Sequence, residues 1–387
     1  MSEPECVLIT DDYLPHIGGS RIYYSNVAQM LAGRLGIVTR ERGGSEVFDR
    51  DLSYPIRRIR LSSLSEGAAA VQDAANAVTL ALEAMRAFPH TRFFLAGEVC
   101  PTAFSAYLAA RRRRGSYGII LHDEPMAGAG RLEARLRKWV VARAAVLATS
   151  AVFAQQRCRG LAGESAPIIH APPGVDLDTF RPGPAGRGVL ARLGLEGRRY
   201  LLSAGRLVAY KNVSALISAI ADPALAGLGL AVVGEGPERQ ALEAHAHEIG
   251  VSGRVVFAGQ VKSGELAALY RGAFAYVFPS RRARGRQQEG IGMAALEAAA
   301  CGCPVIASIF TSATDFIENG RTGLLFDPDV KGALEGAIAS LLASADFRDA
   351  IASAGMERVR ARYNWQSTAK AIGQAIDHLA GRHTHPS

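Results

Sequence analysis

The sequence predicts an α/β protein made of two doubly wound parallel sheets, one in each half of the chain. Short apolar runs alternate with helical stretches from end to end, the pattern of strand–helix–strand units around a parallel sheet. The alternation stops at a Pro-, Gly- and Arg-rich stretch, Pro182–Arg198, and starts again at Tyr200, so that stretch reads as a linker with one short helix. The chain has 387 residues, 49% of them hydrophobic, with 41 glycines and 7% aromatics. That is enough for two ordinary domains rich in tight turns.

In the first half, Cys6–Thr10 is a short apolar strand, followed by DDYLPHIGGS and a helix over Ser20–Ala32. Strand, glycine turn and helix form the usual phosphate cradle of such sheets, although G-x-G-x-x-G is absent. Gly18 and Gly19 are therefore candidate ligand contacts or an ordinary turn, and His16 is a candidate contact or an exposed histidine. Strands follow at Leu35–Thr39, Ile56–Leu61 and Arg92–Ala96, with a helix at Ala68–Phe88. Helix Thr102–Ala110 runs into Arg111–Arg114, whose cations complement its C-terminus. Strand Tyr117–Leu121 delivers His122, Asp123 and Glu124 to its carboxyl end, where ligands bind in parallel sheets. A satisfied histidine and a helix-capping acid are the plain alternatives.

The stretch 131–148 mixes Arg131, Arg135, Arg137, Lys138 and Arg143 with Leu, Trp and Val. It suits either a lipid headgroup layer or a core-packed helix with a charged outer face. Strand Ala145–Thr149, helix Ala151–Arg159, strand Pro167–His170 and the turn Pro172–Asp176 close a first domain at residue 182.

The second half opens on strand Tyr200–Ala204, followed by GRLVAYKN. Arg206 and Lys211 flank the loop into the next helix, where a planar guanidinium and a point charge can clamp a diphosphate. Strand Leu228–Val233 leads into GEGP, with Gly234 and Gly236, and strand Arg254–Gly259 into Gln260 and Val261. Helix Glu265–Gly272 and strand Ala273–Val277 then reach the basic loop Arg281–Gln288. Gln288–Ser308 (QEGIGMAALEAAACGCPVIAS) reads as glycine loop, buried helix and inner strand. Gly290 and Gly292 leave amides free at the helix start, where the dipole favours an anion. An acid in the second turn of so apolar a helix, Glu297, needs a partner, and paired ligand hydroxyls would supply one. Gly302 and Pro304 end the helix. Helices at Lys331–Ser344, Phe347–Arg362 and Trp365–Leu379 finish the chain.

The spacing of Glu289 and Glu297, with EGIG and LEAAACGCPVIAS around it, resembles the Glu-x7-Glu motif of family-4 retaining glycosyltransferases of the GT-B fold. GRL…KN, VGEGP and PPGVD…FRP resemble further elements of that family, and the resemblance covers nearly the whole chain. It implies two Rossmann-like domains facing a cleft. An acceptor domain would span 1–182, a nucleotide-sugar domain 183–363, and a last helix, 364–382, would cross back to the first. It also implies a hexose, mannose or glucose-type, moved from a nucleotide diphosphate sugar to an acceptor hydroxyl of a glycan, lipid or small molecule. On this resemblance His122, Glu289, Arg206 and Lys211 are catalytic. Gly18, Gly19, Gly234, Val261, Ile291, Gly292, Met293 and Glu297 would complete the donor site, and His16 and Asp123 would touch the acceptor. No metal or other cofactor is expected, because two cations and a helix terminus serve the diphosphate. The Arg-rich loop before Glu289 resembles mannosyltransferases acting on phosphatidylinositol-type lipids. The family's Gly-Gly-x-x-Glu is replaced here by IFTSATD, in which Thr311, Ser312 and Asp315 can offer oxygens. That departure leaves a non-catalytic partner protein that binds nucleotide sugar as an alternative, and a nucleotide-sugar epimerase is another chemistry of the same fold.

The net charge of +8 favours anionic partners: nucleotide phosphates, or an anionic membrane touched peripherally. Nucleic acid is not expected, as no recognition module or aromatic-interleaved basic stripe is present. No apolar run is long enough to span a bilayer, and MSEPE lacks signal character. The five cysteines lie mostly in apolar surroundings and read as reduced thiols of a cytoplasmic protein, which the basic stretch 131–148 would allow to sit peripherally at the inner face of the plasma membrane.

Overall fold

A computed structural model describes residues 3–15, 18–61, 69–122, 131–162, 166–282 and 292–381. It divides into two compact units, 1–174 with 365–387, and 175–364. The sequence expectation had set the first boundary at 182.

The first unit holds a seven-stranded sheet: β1 (Cys6–Thr10), β2 (Leu35–Arg40), β3 (Ile56–Ile59), β4 (Phe93–Ala96), β5 (Ser116–Leu121), β6 (Val146–Thr149) and β7 (Ile168–His170). The second holds six strands: β8 (Tyr200–Ala204), β9 (Gly229–Val233), β10 (Val255–Gly259), β11 (Ala275–Phe278), β12 (Val305–Ser308) and β13 (Leu324–Phe326). Every pairing is parallel. The orders are β3-β2-β1-β4-β5-β6-β7 and β10-β9-β8-β11-β12-β13. Both reverse direction after their first strand, so each unit is a doubly wound Rossmann-like sheet with its ligand crevice at the carboxyl ends of β1/β4 or β8/β11. Helices cover both faces, which is why most of the strands are buried along their length and read as continuous apolar runs.

The helix Trp365–Leu379 belongs to the first unit, although it ends the chain. Its Asp377 pairs with Arg34 at 2.6 Å, and its Thr368 hydroxyl donates to the Pro172 carbonyl at 2.7 Å. Two helices differ from the sequence expectation. The helix from Thr102 continues to Arg113, because Arg is a good helix former and the αL cap falls on Arg114, φ 53°. The basic helix ends at Val141 rather than 148, because the next residues enter β6.

Candidate functional site

In the second unit the chain leaves β8 through Gly205, φ +150°, and turns at Asn212, φ 56°. Asn tolerates the left-handed conformation, and its side-chain amide donates to the Pro279 carbonyl at 3.1 Å. This ties the loop of Arg206 and Lys211 to the end of β11, across the point where the strand order reverses. Gly205, Arg206, Lys211, Phe278 and Pro279 line one small pocket there. Arg206 is exposed, and its guanidinium has no hydrogen bond or ion pair among the described residues. The Lys211 ammonium lies 4.9 Å from the centroid of the Phe278 ring.

The same ring touches the next element. A Cβ on Gly292 would lie 3.0 Å from Phe278 Cε1 and 2.9 Å from Ser312 Oγ, so any side chain there would push on both. The helix Met293–Ala300 starts at this point without a side-chain cap. Its first-turn amides, those of Met293 and Ala294, have no partner among the described residues, whereas the Gly292 N–H donates to Ser312 Oγ at 3.0 Å. A cation and a helix N-terminus therefore converge on one aromatic ring, and both favour an anion. The helix ends as its sequence requires: Gly302 is left-handed, φ +78°, and the Cys303 N–H reaches back to the Ala298 carbonyl at 3.0 Å.

Glu297 lies on this helix, half-buried beside Tyr270. Burial pushes its carboxyl up to about 7, against a smaller lowering by the Tyr270 hydroxyl, which donates to Oε2 at 3.4 Å, while the Asp176 charge raises it further. Tyr270 is the partner that the sequence reading sought only in a ligand. Asp176 caps its own turn, accepting from the Asp178 and Thr179 amides.

The GEGP loop is held to the Arg206 loop by backbone. Gly205 N–H donates to Val233, Leu207 N–H to Glu235, and Glu238 N–H to Leu207. A Cβ on Gly234 would sit 1.9 Å from the Gly205 carbonyl oxygen, and one on Gly236 2.1 Å from that of Leu207. These glycines are demanded by loop-on-loop packing. Gly234→Ala is expected to cost about 2 kcal/mol through overpacking and its positive φ; an unchanged urea midpoint would show that the loops relax freely. Val261, half-buried just after β10, packs against the core.

One sequence expectation fails here. Thr311 offers no oxygen to a ligand: it is fully buried, and its hydroxyl donates to the Ser308 carbonyl at 2.8 Å. Ser312 survives as a support for Gly292.

In the first unit, Gly18 is extended and precedes the helix Gly19–Met30, whose start again lacks a side-chain cap. The next turn of this helix carries Tyr23 and Tyr24, whose rings stand 4.7 and 5.2 Å from that of His122 at the end of β5. Burial drives His122 down to about 3, and neither ring nitrogen has a hydrogen-bond partner among the described residues. A histidine depressed in this way stays neutral near pH 7; it destabilises the fold as pH falls below its unfolded value of 6.5, because the unfolded chain then binds the extra proton. We expect its imidazole ¹⁵N signals to show no titration from about pH 8 to about pH 5; a midpoint in that range would refute the burial.

The sequence reading missed Glu98, just beyond β4 in the crevice of this unit. It accepts from Thr10 Oγ1 at 2.7 Å, the Asp11 amide at 3.3 Å and Thr102 Oγ1 at 3.2 Å. Burial raises its carboxyl to about 7. An acid directly after an apolar strand, at the end where ligands bind, was the available signal. His16, Asp123, Glu124, Glu289 and Ile291 lie outside the described residues, as does most of the basic loop before Glu289. Among the described residues no group of three His, Cys, Asp or Glu could hold a metal, and no helix is long and apolar enough to cross a membrane.

Residues 191–358 match the family model "Glycosyl transferases group 1". A GDP-mannose-dependent alpha-(1-6)-phosphatidylinositol monomannoside mannosyltransferase of Mycobacterium tuberculosis is 34% identical over 228 residues, 58% of this chain and 59% of that enzyme. A D-inositol 3-phosphate glycosyltransferase of Segniliparus rotundus is 26% identical over 92% of this chain and 83% of its own. Among solved structures, Anabaena Alr3699/HepE in complex with UDP superposes with a TM-score of 0.81 at 17% identity, covering 96% of this chain and 99% of that one. The match to the group 1 glycosyl transferases falls on the second unit, and the chain, with its two Rossmann-like units, shares the GT-B fold of the superposed structure.

Proposed function

We propose that this protein is a retaining, metal-independent glycosyltransferase that moves a hexose from a nucleotide diphosphate sugar to an acceptor hydroxyl. The observation that carries the reading is the convergence of Lys211 and the Met293–Ala300 N-terminus on Phe278, beside the Arg206 guanidinium, which is unpaired among the described residues. That arrangement stabilises the negative charge that builds on a leaving diphosphate, in place and before the reaction starts. Glu297, one turn along the same helix, accepts hydroxyls of the ribose, and Gly234 and Val261 shape the walls of the nucleotide site. Glu289, Ile291 and Met293 continue that site by family resemblance. In the first unit, neutral His122 acts as a hydrogen-bonding group toward sugar, with Gly18 and Gly19 at the head of the neighbouring helix. His16 and Asp123 contact the acceptor, a glycan, lipid or small molecule. The mycobacterial relative makes GDP-mannose the first donor to test, and the UDP complex makes UDP-glucose the second.

Thermal unfolding with GDP, UDP and ADP, each with and without its common sugars, tests the reading. We expect one nucleotide to raise the melting temperature and its sugar conjugate to be consumed when an acceptor is supplied. Stabilisation without transfer to any acceptor would leave a nucleotide-sugar-binding protein.

A further inference from the structure

The first unit carries a second charged surface, at the opposite end of its sheet from His122. There the helices Ala69–Ala87 and Thr102–Arg113 end side by side, and the turn before β4 joins their rim. The groove between them is lined by Arg86, His90, Arg92, Arg112, Arg113 and Arg114, and among the described residues no acid lines it. Complementing two helix C-termini accounts for part of this charge. Arg113 donates to the Met85 carbonyl at 2.8 Å, and Arg86 pairs with Glu83 at 2.7 Å. Arg92, Arg112 and Arg114 remain, with no partner among the described residues. Their placement is built in: a Cβ on Gly115 would lie 1.8 Å from the Arg92 carbonyl oxygen, so the chain after Arg114 is pressed against Arg92.

Leu82, Met85 and Pro89 add apolar surface to the groove, and exposed apolar side chains continue on the neighbouring helices. Leu82 in its wall is 45% exposed, and on the adjoining helices Leu108 is 38%, Leu136 47% and Trp139 36% exposed. These three helices pack on one face of the sheet, with Tyr107 against Trp139 at 4.9 Å and the Arg143 guanidinium 4.3 Å over the Trp139 ring. Apolar tips among arginines suit the boundary between headgroups and acyl chains, where stems and rings enter and charges stay at phosphate depth. A soluble phosphate would use the cations and leave the leucines without a role.

We propose that this face docks the protein on an anionic lipid bilayer, the arginine groove receiving headgroup phosphate. The helix 131–141 is then a flank of the site and not its centre, since its Arg137 pairs with Glu133 on the same helix.

Co-sedimentation tests this with phosphatidylcholine vesicles and with vesicles carrying about one-third phosphatidylglycerol. The protein should bind the anionic vesicles, release them at high salt and ignore the neutral ones. Arg92→Gln with Arg112→Gln should weaken binding by about twenty-fivefold, at roughly fivefold per charge removed. The nucleotide-induced thermal shift of the same variant should be unchanged, which shows that it is folded. Arg135→Gln with Lys138→Gln should weaken binding less. The proposal is overturned if wild type ignores anionic vesicles, if the groove variant binds them equally, or if the helix variant accounts for the whole loss. Thermal stabilisation by inorganic phosphate without vesicle binding would also overturn it, and would assign the groove to a soluble anion.

Discussion

Lys211→Met is expected to lower turnover by about a thousandfold while leaving the fold intact. The substitution keeps the aliphatic stem that packs toward Phe278 and deletes only the ammonium. A preorganised donor aimed at developing charge is worth about a hundred- to a thousandfold in rate, and a full charge in a half-buried pocket belongs at the upper end. The loss should fall on kcat more than on KM, because the leaving diphosphate gains charge in the transition state that the bound donor lacks. Arg206→Ala should be comparable, and Arg206→Lys should recover part of the rate, since charge returns without the planar fork. Initial rates with the donor found by thermal shift, together with urea unfolding of each variant, decide the matter. A Lys211→Met enzyme within about tenfold of wild type would remove Lys211 from catalysis.

The reason Lys211 stood out in the sequence as a candidate, while its structural setting did not, is physical. A strand, a glycine and two cations before a helix are local features, written in consecutive residues from Tyr200 to Asn212. Both sheets were readable in the same way, because fully covered parallel strands are continuous apolar runs between turn residues. Phe278 was invisible as a site residue: it stands at the end of an apolar strand like any core aromatic, and only the strand order brings it under Lys211. Tyr270 and Glu297 lie on different helices, so their contact required tertiary structure. Thr311 misled for the converse reason. A hydroxyl in a polar loop reads as available, but its acceptor, the Ser308 carbonyl, is supplied by a turn whose geometry the composition does not encode. The same limit hid the second role of Gly234, whose absent Cβ is explained by a loop from another strand.

Nucleotide affinity should weaken by about tenfold per pH unit as pH falls below 7, and Glu297→Gln should abolish that slope. Glu297 in the unliganded protein holds its proton up to about 7, because its charge is poorly solvated. A ribose diol donating two hydrogen bonds stabilises the carboxylate, so binding releases the proton and becomes harder where the proton is held more tightly. The same group acts on stability with the opposite sign. Its folded value lies above the unfolded 4.5, so folding retains a proton that the unfolded chain loses between 4.5 and about 7. Stability therefore declines across that window, by roughly 3 kcal/mol in total, and Glu297→Gln should restore it at higher pH. Glu98 is raised over the same range in the first unit and adds its own decline, so unfolding data alone cannot separate the two. Calorimetric titration with nucleotide separates them. Glu98→Gln should flatten part of the stability profile and leave the affinity slope intact, whereas Glu297→Gln should change both. If the affinity slope survives in Glu297→Gln, another group takes up the proton, and the ribose contact belongs elsewhere on the helix.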